Sequence, residues 1–446
     1  MTTVLTDERR RLLVVYDDGA AGAGELLRSL AGRFELAFLT TDSPHAKEVE
    51  PFLRAAGPVF RLSQWPANLP ALREWKPDGI TTYAEMIPET AAVAATLALP
   101  FHSPEVADLL TDKWRQRERL RAAGVDATRS YVIQSESDLR PALDHVGLPA
   151  VVKPARGKGS RDTFRLDYPQ QAVETITWLL ASDEEAGRQP RYVLEEMLLG
   201  ADDARFGDYV SVESVLTPDG PVHLAVTGKF PLSPPFRECG QFWPAAVPAA
   251  QDQAIRELTA QAIDALGIRH GLTHTEIKLT PTGPRLIEVN GRLGGWIAEL
   301  ADRALGLDLF ALAADLACGP VRMTTPSWPG IVFQFWNLPP QDARALGRVN
   351  GAPTVRKMPG IDRYLNLVLP GPLGPAEVTQ RLDLTCGTAS SYEALTAMIG
   401  AAMASLEYAF TDAEGLTTTT AAVGMPSWQA LHAHSTHTPP ARQQEP

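Results

Sequence analysis

Two glutamates and an asparagine lie where a β-hairpin would bring them together. The segment His274-Thr-Glu276-Ile-Lys278-Leu-Thr280, Pro281-Thr-Gly283, Pro284-Arg-Leu-Ile-Glu288-Val-Asn290 reads as two alternating strands. A three-residue loop ending in glycine joins them. With that loop, Thr280 faces Pro284, Lys278 faces Leu286 and Glu276 faces Glu288, Cβ atoms ~4.5–5.5 Å apart. Like charges so placed are destabilising unless a cation bridges them or one is protonated. Asn290 lies one pleat further along the same face, and two carboxylates with an amide oxygen suit a hard cation such as Mg²⁺. The competing reading is a solvated hairpin. Upstream, Lys153 ends the apolar strand Val151-Val152 and precedes Gly157-x-Gly159-Ser160. A lysine beside free backbone N–H groups is a phosphate cradle, or else a flexible turn. GxxxxGK[ST] is absent, so this is not a Walker A loop.

The surrounding composition narrows the field. The chain has 446 residues and a net charge of −12, which disfavours coating nucleic acid or an anionic membrane. Of the 41 basic residues only eight are lysine, so a lysine near glycines is informative. Cys239, Cys318 and Cys386 are far apart and form no CxxC or zinc spacing. No apolar run reaches the ~18 residues of a membrane span, and Leu12–Tyr16 is too short for a signal-peptide core. A reducing cytoplasm is the expected setting.

The elements that must hold these residues read as α/β. Residues 1–110 alternate strands (Leu12–Tyr16, Glu35–Leu39, Gly79–Tyr83) with helices (Glu25–Ala31, Glu89–Leu97), as a parallel sheet requires. The run Gly19-Ala-Ala-Gly22-Ala-Gly24 is GxxGxG and reads as a tight strand-to-helix turn rather than a dinucleotide site. Gln64-Trp65-Pro66 reads as a connection. Residues 111–205 open with a charged helix from Asp112-Lys113 and continue as a β-α-β-β-α-β block, a small α+β lid. Residues 206–320 hold a hairpin (Tyr209–Leu216, Val222–Phe230), the helix Asp252–Leu266 and the carboxylate hairpin. Residues 321–423 read as a further α+β extension without a catalytic motif, and 424–446 as a disordered tail.

Taken in order, Lys113 in DK…L…G, Val-Val-Lys153-Pro with RGKGS, Leu-Glu195-Glu196-Met-Leu-Leu-Gly200, HTEIKL and IEVNGRLGGW resemble the ATP-grasp superfamily over roughly residues 1–320. Thr273-His-Thr-Glu-Ile-Lys-Leu with Arg292-x-x-Gly295-Trp296 is most similar to the L-amino-acid ligases that make dipeptides, the bacilysin-synthetase type.

The resemblance implies an ATP-grasp fold, with ATP and one or two Mg²⁺ ions (Mn²⁺ as the alternative) as cofactors. Lys113 and Lys153 would hold the nucleotide phosphates, and Gly157, Gly159 and Ser160 would belong to a lid loop. Glu195, Glu196 and Leu198 would form the adenine hinge, with Lys278 also on the ATP side. Asp208 and Glu213 both qualify as ribose ligand, because an acidic insertion (Ala201–Gly207) departs from the family pattern. Glu276, Glu288 and Asn290 would bind the metal. Arg292 would steady the transferred phosphoryl group. Glu85, Arg237, Gly295 and Trp296 would line the substrate pocket, whereas His270 and His274 read as structural.

The implied activity joins an amino-acid carboxylate to an amino-acid or peptide amine through an acyl phosphate, in a homodimer. Two alternatives are an ATP-grasp ligase acting on a non-amino-acid substrate and a nucleotide-binding protein without catalysis.

Overall fold

The computed structural model describes residues 9–157, 159, 161–201, 205–326, 330–374 and 380–433. The N-terminal strands form a parallel sheet in the order Val59–Arg61, Glu35–Thr40, Arg11–Tyr16, Gly79–Thr82. Helices cover both faces, so the central strand is apolar at successive positions, with Leu12 to Val15 fully buried. The loops leaving Arg11–Tyr16 and Gly79–Thr82 are zipped together: Gly19 bridges Ala84, and the Ala20 N–H donates to the Tyr83 carbonyl at 2.7 Å. A Cβ on Gly19 would lie 2.4 Å from that carbonyl oxygen. The glycine-rich run is thus a close-approach turn, and it holds the loop carrying Glu85. The expected connection near Trp65 is instead a helix, Trp65–Trp75, with Pro66 in the first turn where a missing N–H is harmless.

The small unit is the expected β-α-β-β-α-β block. Its antiparallel sheet runs Ser130–Ile133, Tyr192–Glu196, Ala150–Pro154, Phe164–Leu166. Ile133, Val152 and Leu194 bury against Ile176 and Leu179 of the Pro169–Glu185 helix.

The largest sheet has eight antiparallel strands. They run Gly283–Asn290, Leu272–Thr280, Tyr209–Thr217, Gly220–Lys229, Gly240–Trp243, Ile331–Phe335, Asp383–Ala389, Ile361–Asn366. Alternation gives it two unlike faces. Val210, Val212, Val226, Ile277 and Leu286 share a core with Ile255, Ala262 and Ile263 of the Ala249–Ala265 helix. Glu213, Lys229, Gln241, His274 and Gln334 lie on the other face. The last three strands come from the segment expected to be a separate extension, so the boundary at 320/321 cuts through a continuous sheet. Sequence periodicity carries no signal for strand partners so far apart in the chain.

The tail expectation also needs correction. Pro426–Ala433 is a helix, with Met425 and Leu431 buried and Ser427 Oγ accepting from the Leu338 N–H at 3.1 Å. Residues 434–446 lie outside the described residues. No helix among the described residues is long and apolar enough to cross a membrane.

Candidate active site

The site is assembled around the helix Lys113–Ala122, whose N-terminus Asp112 caps by accepting from the Arg115 N–H at 3.1 Å. This helix lies along Gly283–Asn290, the edge strand of the large sheet. The Gln116 amide accepts from Val289 N–H (2.8 Å) and donates to Val289 O (2.9 Å), as a neighbouring strand would. Arg117 is buried and uses all five of its N–H donors. Two go to the Glu195 carboxylate at 3.1 Å each, one to Asp126 at 3.0 Å, and one each to Leu286 O and Ile287 O at 2.7 Å.

Ile287 is the residue that corrects the expected hairpin. The turn has two residues rather than three, since Thr280 pairs with Gly283, Leu279 with Pro284 and Lys278 with Arg285. Left there, Glu276 would not meet Glu288. A bulge at Ile287, its carbonyl held by Arg117, shifts the register back, so Glu276 pairs with Glu288 and His274 with Asn290. The expected cross-strand carboxylates are present, reached through two departures that cancel.

The cations converge on this pair. Lys113 Nζ lies 3.4 Å from Glu288 Oε1 and donates to the Gly157 carbonyl at 2.9 Å, reaching both the hairpin and the glycine loop. Lys153 Nζ is 2.9 Å from Glu195 Oε2. Burial alone would raise the Glu195 pKa, but Arg117 and then Lys153 bring it down to about 2. The Glu195 side chain therefore fixes Lys153 from within. Glu196 is held by Arg129 (2.8 Å) and Arg285 (3.3 Å). Leu198 follows in the segment leaving that strand, and Gly159 lies in a turn of the glycine loop. Ser160 and Lys158 lie outside the described residues. Lys278 pairs with Asp208 at 2.6 Å, and Asp208 lies against Gly200 at the end of the hinge segment. Glu213, the other ribose candidate, is instead buried under His274, which lies 2.9 Å from its Oε2.

His274 was expected to be structural, yet its Nε2 also lies 3.4 Å from Glu276. Burial disfavours a charged ring here, but the Glu213 carboxylate outweighs it and pushes His274 up to about 9. Burial likewise opposes ionisation of Glu276, and His274, Lys229 and Arg292 together keep it below the usual carboxylate range. Gly294 makes this arrangement fit, because a Cβ there would sit 2.4 Å from His274 Nδ1.

Arg292 and Glu85, 207 residues apart in sequence, form a charged pair with an Nε–Oε1 distance of 2.5 Å. The Gly295 carbonyl accepts from Gln241 at 3.1 Å. Trp296 follows at φ +64, a conformation costing a branched or bulky residue about 1–2 kcal/mol, and its ring lies 6.4 Å from Trp336. Arg237 does not line the pocket. It is 3% exposed and donates to Pro234 O, Pro339 O and Ser233 Oγ, holding its own loop.

Sequence reasoning missed Arg117, Lys229, Glu238 and Gln241. Lys229 is 3% exposed and reaches Gln241 Oε1 at 2.9 Å and Glu238 at 3.5 Å. The scarcity of lysine was a signal for Lys229, one of the eight. The rest depend on strand partners that local patterns do not reveal.

A small unit with a lysine and glycine loop lies beside a sheet whose hairpin carries paired carboxylates, an arrangement of cations and oxygen ligands suited to a polyphosphate. Residues 146–299 match the family described as the ATP-grasp domain. The chain is 26% identical over 255 residues to the alanine–anticapsin ligase of Bacillus subtilis (strain 168), covering 54% of each protein. It is 26% identical to human carnosine synthase 1 over 79% of this chain and 45% of that one. The chain spans about half the length of these curated relatives. The crystal structure of an L-amino acid ligase from Bacillus licheniformis superposes with a TM-score of 0.75 at 19% identity, over 90% of this chain and 99% of that one. Residues 146–299 thus carry an ATP-grasp domain, and the chain as a whole resembles L-amino-acid ligases in fold.

Replacing Arg117 with methionine should lower unfolding stability by about 3–5 kcal/mol in a urea titration, because it strands Glu195 and Asp126 without their buried partner. An unchanged midpoint would contradict the role given to Arg117. A second prediction concerns His102, buried under Gly291 beside the end of the strand Gly283–Asn290. Burial lowers its pKa to about 4, against an ordinary value of 6.5. The unfolded chain therefore binds the proton more readily. The resulting stability is complete above about pH 6.5 and declines as pH falls towards 4. Urea midpoints measured from pH 7 to 4 should fall less steeply in His102→Leu than in the native protein.

Proposed function

We propose that this protein is an ATP-dependent carboxylate–amine ligase that joins an amino acid, or a similar carboxylate, to the amine of an amino acid or peptide. The supporting observation is the Glu276–Glu288 pair with Asn290, flanked by Lys113 at 3.4 Å and facing the Lys153 loop. The donor set fits Mg²⁺, with Mn²⁺ as the alternative: all ligands are oxygens, and two are carboxylates paired across the hairpin. Among the described residues no cluster of three or more His, Cys, Asp or Glu could hold a metal. Phosphate oxygens and water would therefore complete the shell around Glu276, Glu288 and Asn290. The ion would supply charge neutralisation at the ATP phosphates.

The chain's own groups account for the rest. Lys113 and Lys153, compact ammoniums fixed from opposite sides of the cleft, neutralise the phosphate tail. Arg292 offers its planar fork to the transferred phosphoryl group. Glu85, released from part of its pairing with Arg292, accepts a substrate ammonium. A substrate carboxylate oxygen attacks the γ-phosphorus and ADP leaves, which gives an acyl phosphate. The acceptor amine then attacks the acyl carbon, loses a proton, and phosphate leaves. The Gly157–Arg161 segment excludes water while the intermediate exists.

With ATP, Mg²⁺ and a panel of amino acids, phosphate release should depend on the substrate pair. Glu288→Ala and Lys153→Ala should each lower it by roughly 10²-fold or more, the scale of losing one preorganised charge contact. Phosphate release that is unaltered in either variant would overturn the site.

A further inference from the structure

The segment without a motif contributes a wall to the cleft. Trp336 follows the strand Ile331–Phe335, and its backbone N–H donates to the Cys239 carbonyl at 2.8 Å, which places it beside Glu238. Arg381 precedes the strand Asp383–Ala389, and its guanidinium stacks 4.5 Å from the Trp336 ring centre. One arm donates to Glu238 Oε2 at 3.0 Å. The junction is rigid: Asp383, fully buried, accepts from the Asn337 N–H at 3.0 Å and from Tyr364 OH at 2.8 Å, and also from Tyr408 OH.

Two features of this wall are unresolved within the protein itself. Arg381 Nε and Trp336 Nε1 are buried donors with no hydrogen-bond partner among the described residues, and Trp336 is 1% exposed. Such groups are costly to leave unpaired. Glu238 is also divided, since it faces both Arg381 and Lys229, and Lys229 lies near Glu276 as well. The other cations of the cleft have their own partners: Arg292 has Glu85, Lys113 has Glu288 and His274 has Glu213. The Lys229 strand lies two strands from that of Glu276, about 10 Å across the sheet. Arg381 lies on the far side of Glu238 from Lys229, so a group bound there is separate from one held at the Glu276–Glu288 pair.

We infer that Arg381, stacked on Trp336 and backed by Lys229, is a specificity-determining residue that binds a free carboxylate of the acceptor substrate. The acceptor is then an amino acid or peptide with an unblocked carboxylate, not a simple amine. A guanidinium supplies planar, paired donors to a carboxylate, and stacking on an indole keeps it oriented without further hydrogen bonds. The inference rests on the proposed ligase reading and deepens it by naming the acceptor's second functional group.

The test compares acceptors as free amino acids and as their α-amides, with the donor, ATP and Mg²⁺ held constant. The wild-type protein should prefer the free acid by about 10- to 100-fold in kcat/KM, through KM, as expected for a hydrogen bond to a charged group. Arg381→Ala should bring the two acceptors to near parity in kcat/KM. Arg381→Lys should recover part of the preference. Glutamine and glutamate α-amide, compared with each other, tell an α-carboxylate from a side-chain carboxylate.

Equal use of acid and amide by the wild-type protein overturns the inference even if the Ala variant does not fold. So does an unchanged preference in Arg381→Ala. Failure of every pair to release phosphate would instead sink the ligase reading. In that case calorimetry of the free acid and its amide, with Mg²⁺ and a non-hydrolysable ATP analogue, still decides the inference. Tighter binding of the acid, lost in Arg381→Ala, supports it, and equal binding overturns it.

Discussion

A buried guanidinium with no spare donor holds the elements of the candidate site in one frame. Arg117 belongs to the helix that brings Lys113, bonds the carboxylate of Glu195 in the small unit, and fixes the Leu286 and Ile287 carbonyls of the hairpin. A desolvated charge is tolerable only when its whole hydrogen-bonding capacity is met, and here it is met by three separate pieces of chain. Each therefore has its position set by the others. The Ile287 bulge puts Glu288 across from Glu276, and Glu195 stations Lys153. The helix start puts Lys113 between Glu288 and Gly157.

The large sheet divides its duties by face. One side is buried against a long helix and supplies stability. The other carries a row of polar pairs that runs straight across the strands, with Lys229 opposite Gln241, Gln241 opposite Gln334, and Gln334 opposite Cys386. That row links the carboxylate hairpin to Trp336 and Arg381. Where backbones must come unusually close, glycine makes it possible: Gly19 lets two loops touch and hold Glu85, and Gly294 lets the RLGGW segment pass over His274. Trp296 has no such freedom and holds a left-handed conformation just before the helix Ile297–Leu305. Local strain is accepted there because Gln241 of the sheet holds the Gly295 carbonyl on one side and buried Ile297 opens a helix on the other.

The site was legible where its chemistry is local in sequence. The alternation of HTEIKLT and RLIEVN, with a proline–glycine turn between them, names the strands, their shared face and the carboxylate pair. The detail of the register was not legible, because the bulge depends on Arg117, some 170 residues upstream. The β-α-β-β-α-β unit was readable from its periodicity and punctuation. Trp65–Trp75 was not, since its prolines resemble a connection until the first turn is seen to accommodate one. Lys229, Glu238 and Arg381 became visible only once strands from distant segments were aligned. The same long-range pairing absorbed the supposed extension into the main sheet, and Met425 and Leu431 drew the start of the supposed tail into a core.

The central claim is that this cleft directs a substrate carboxylate onto the γ-phosphorus of ATP. Isotope transfer tests it most directly. An amino-acid donor labelled with ¹⁸O in its carboxylate is incubated with ATP, Mg²⁺ and the acceptor that gives turnover, and the released phosphate is analysed by mass spectrometry. One labelled oxygen in each phosphate released with product is the predicted result. Amide product accompanied by unlabelled phosphate would contradict the account, because the carboxylate oxygen would not have been the nucleophile.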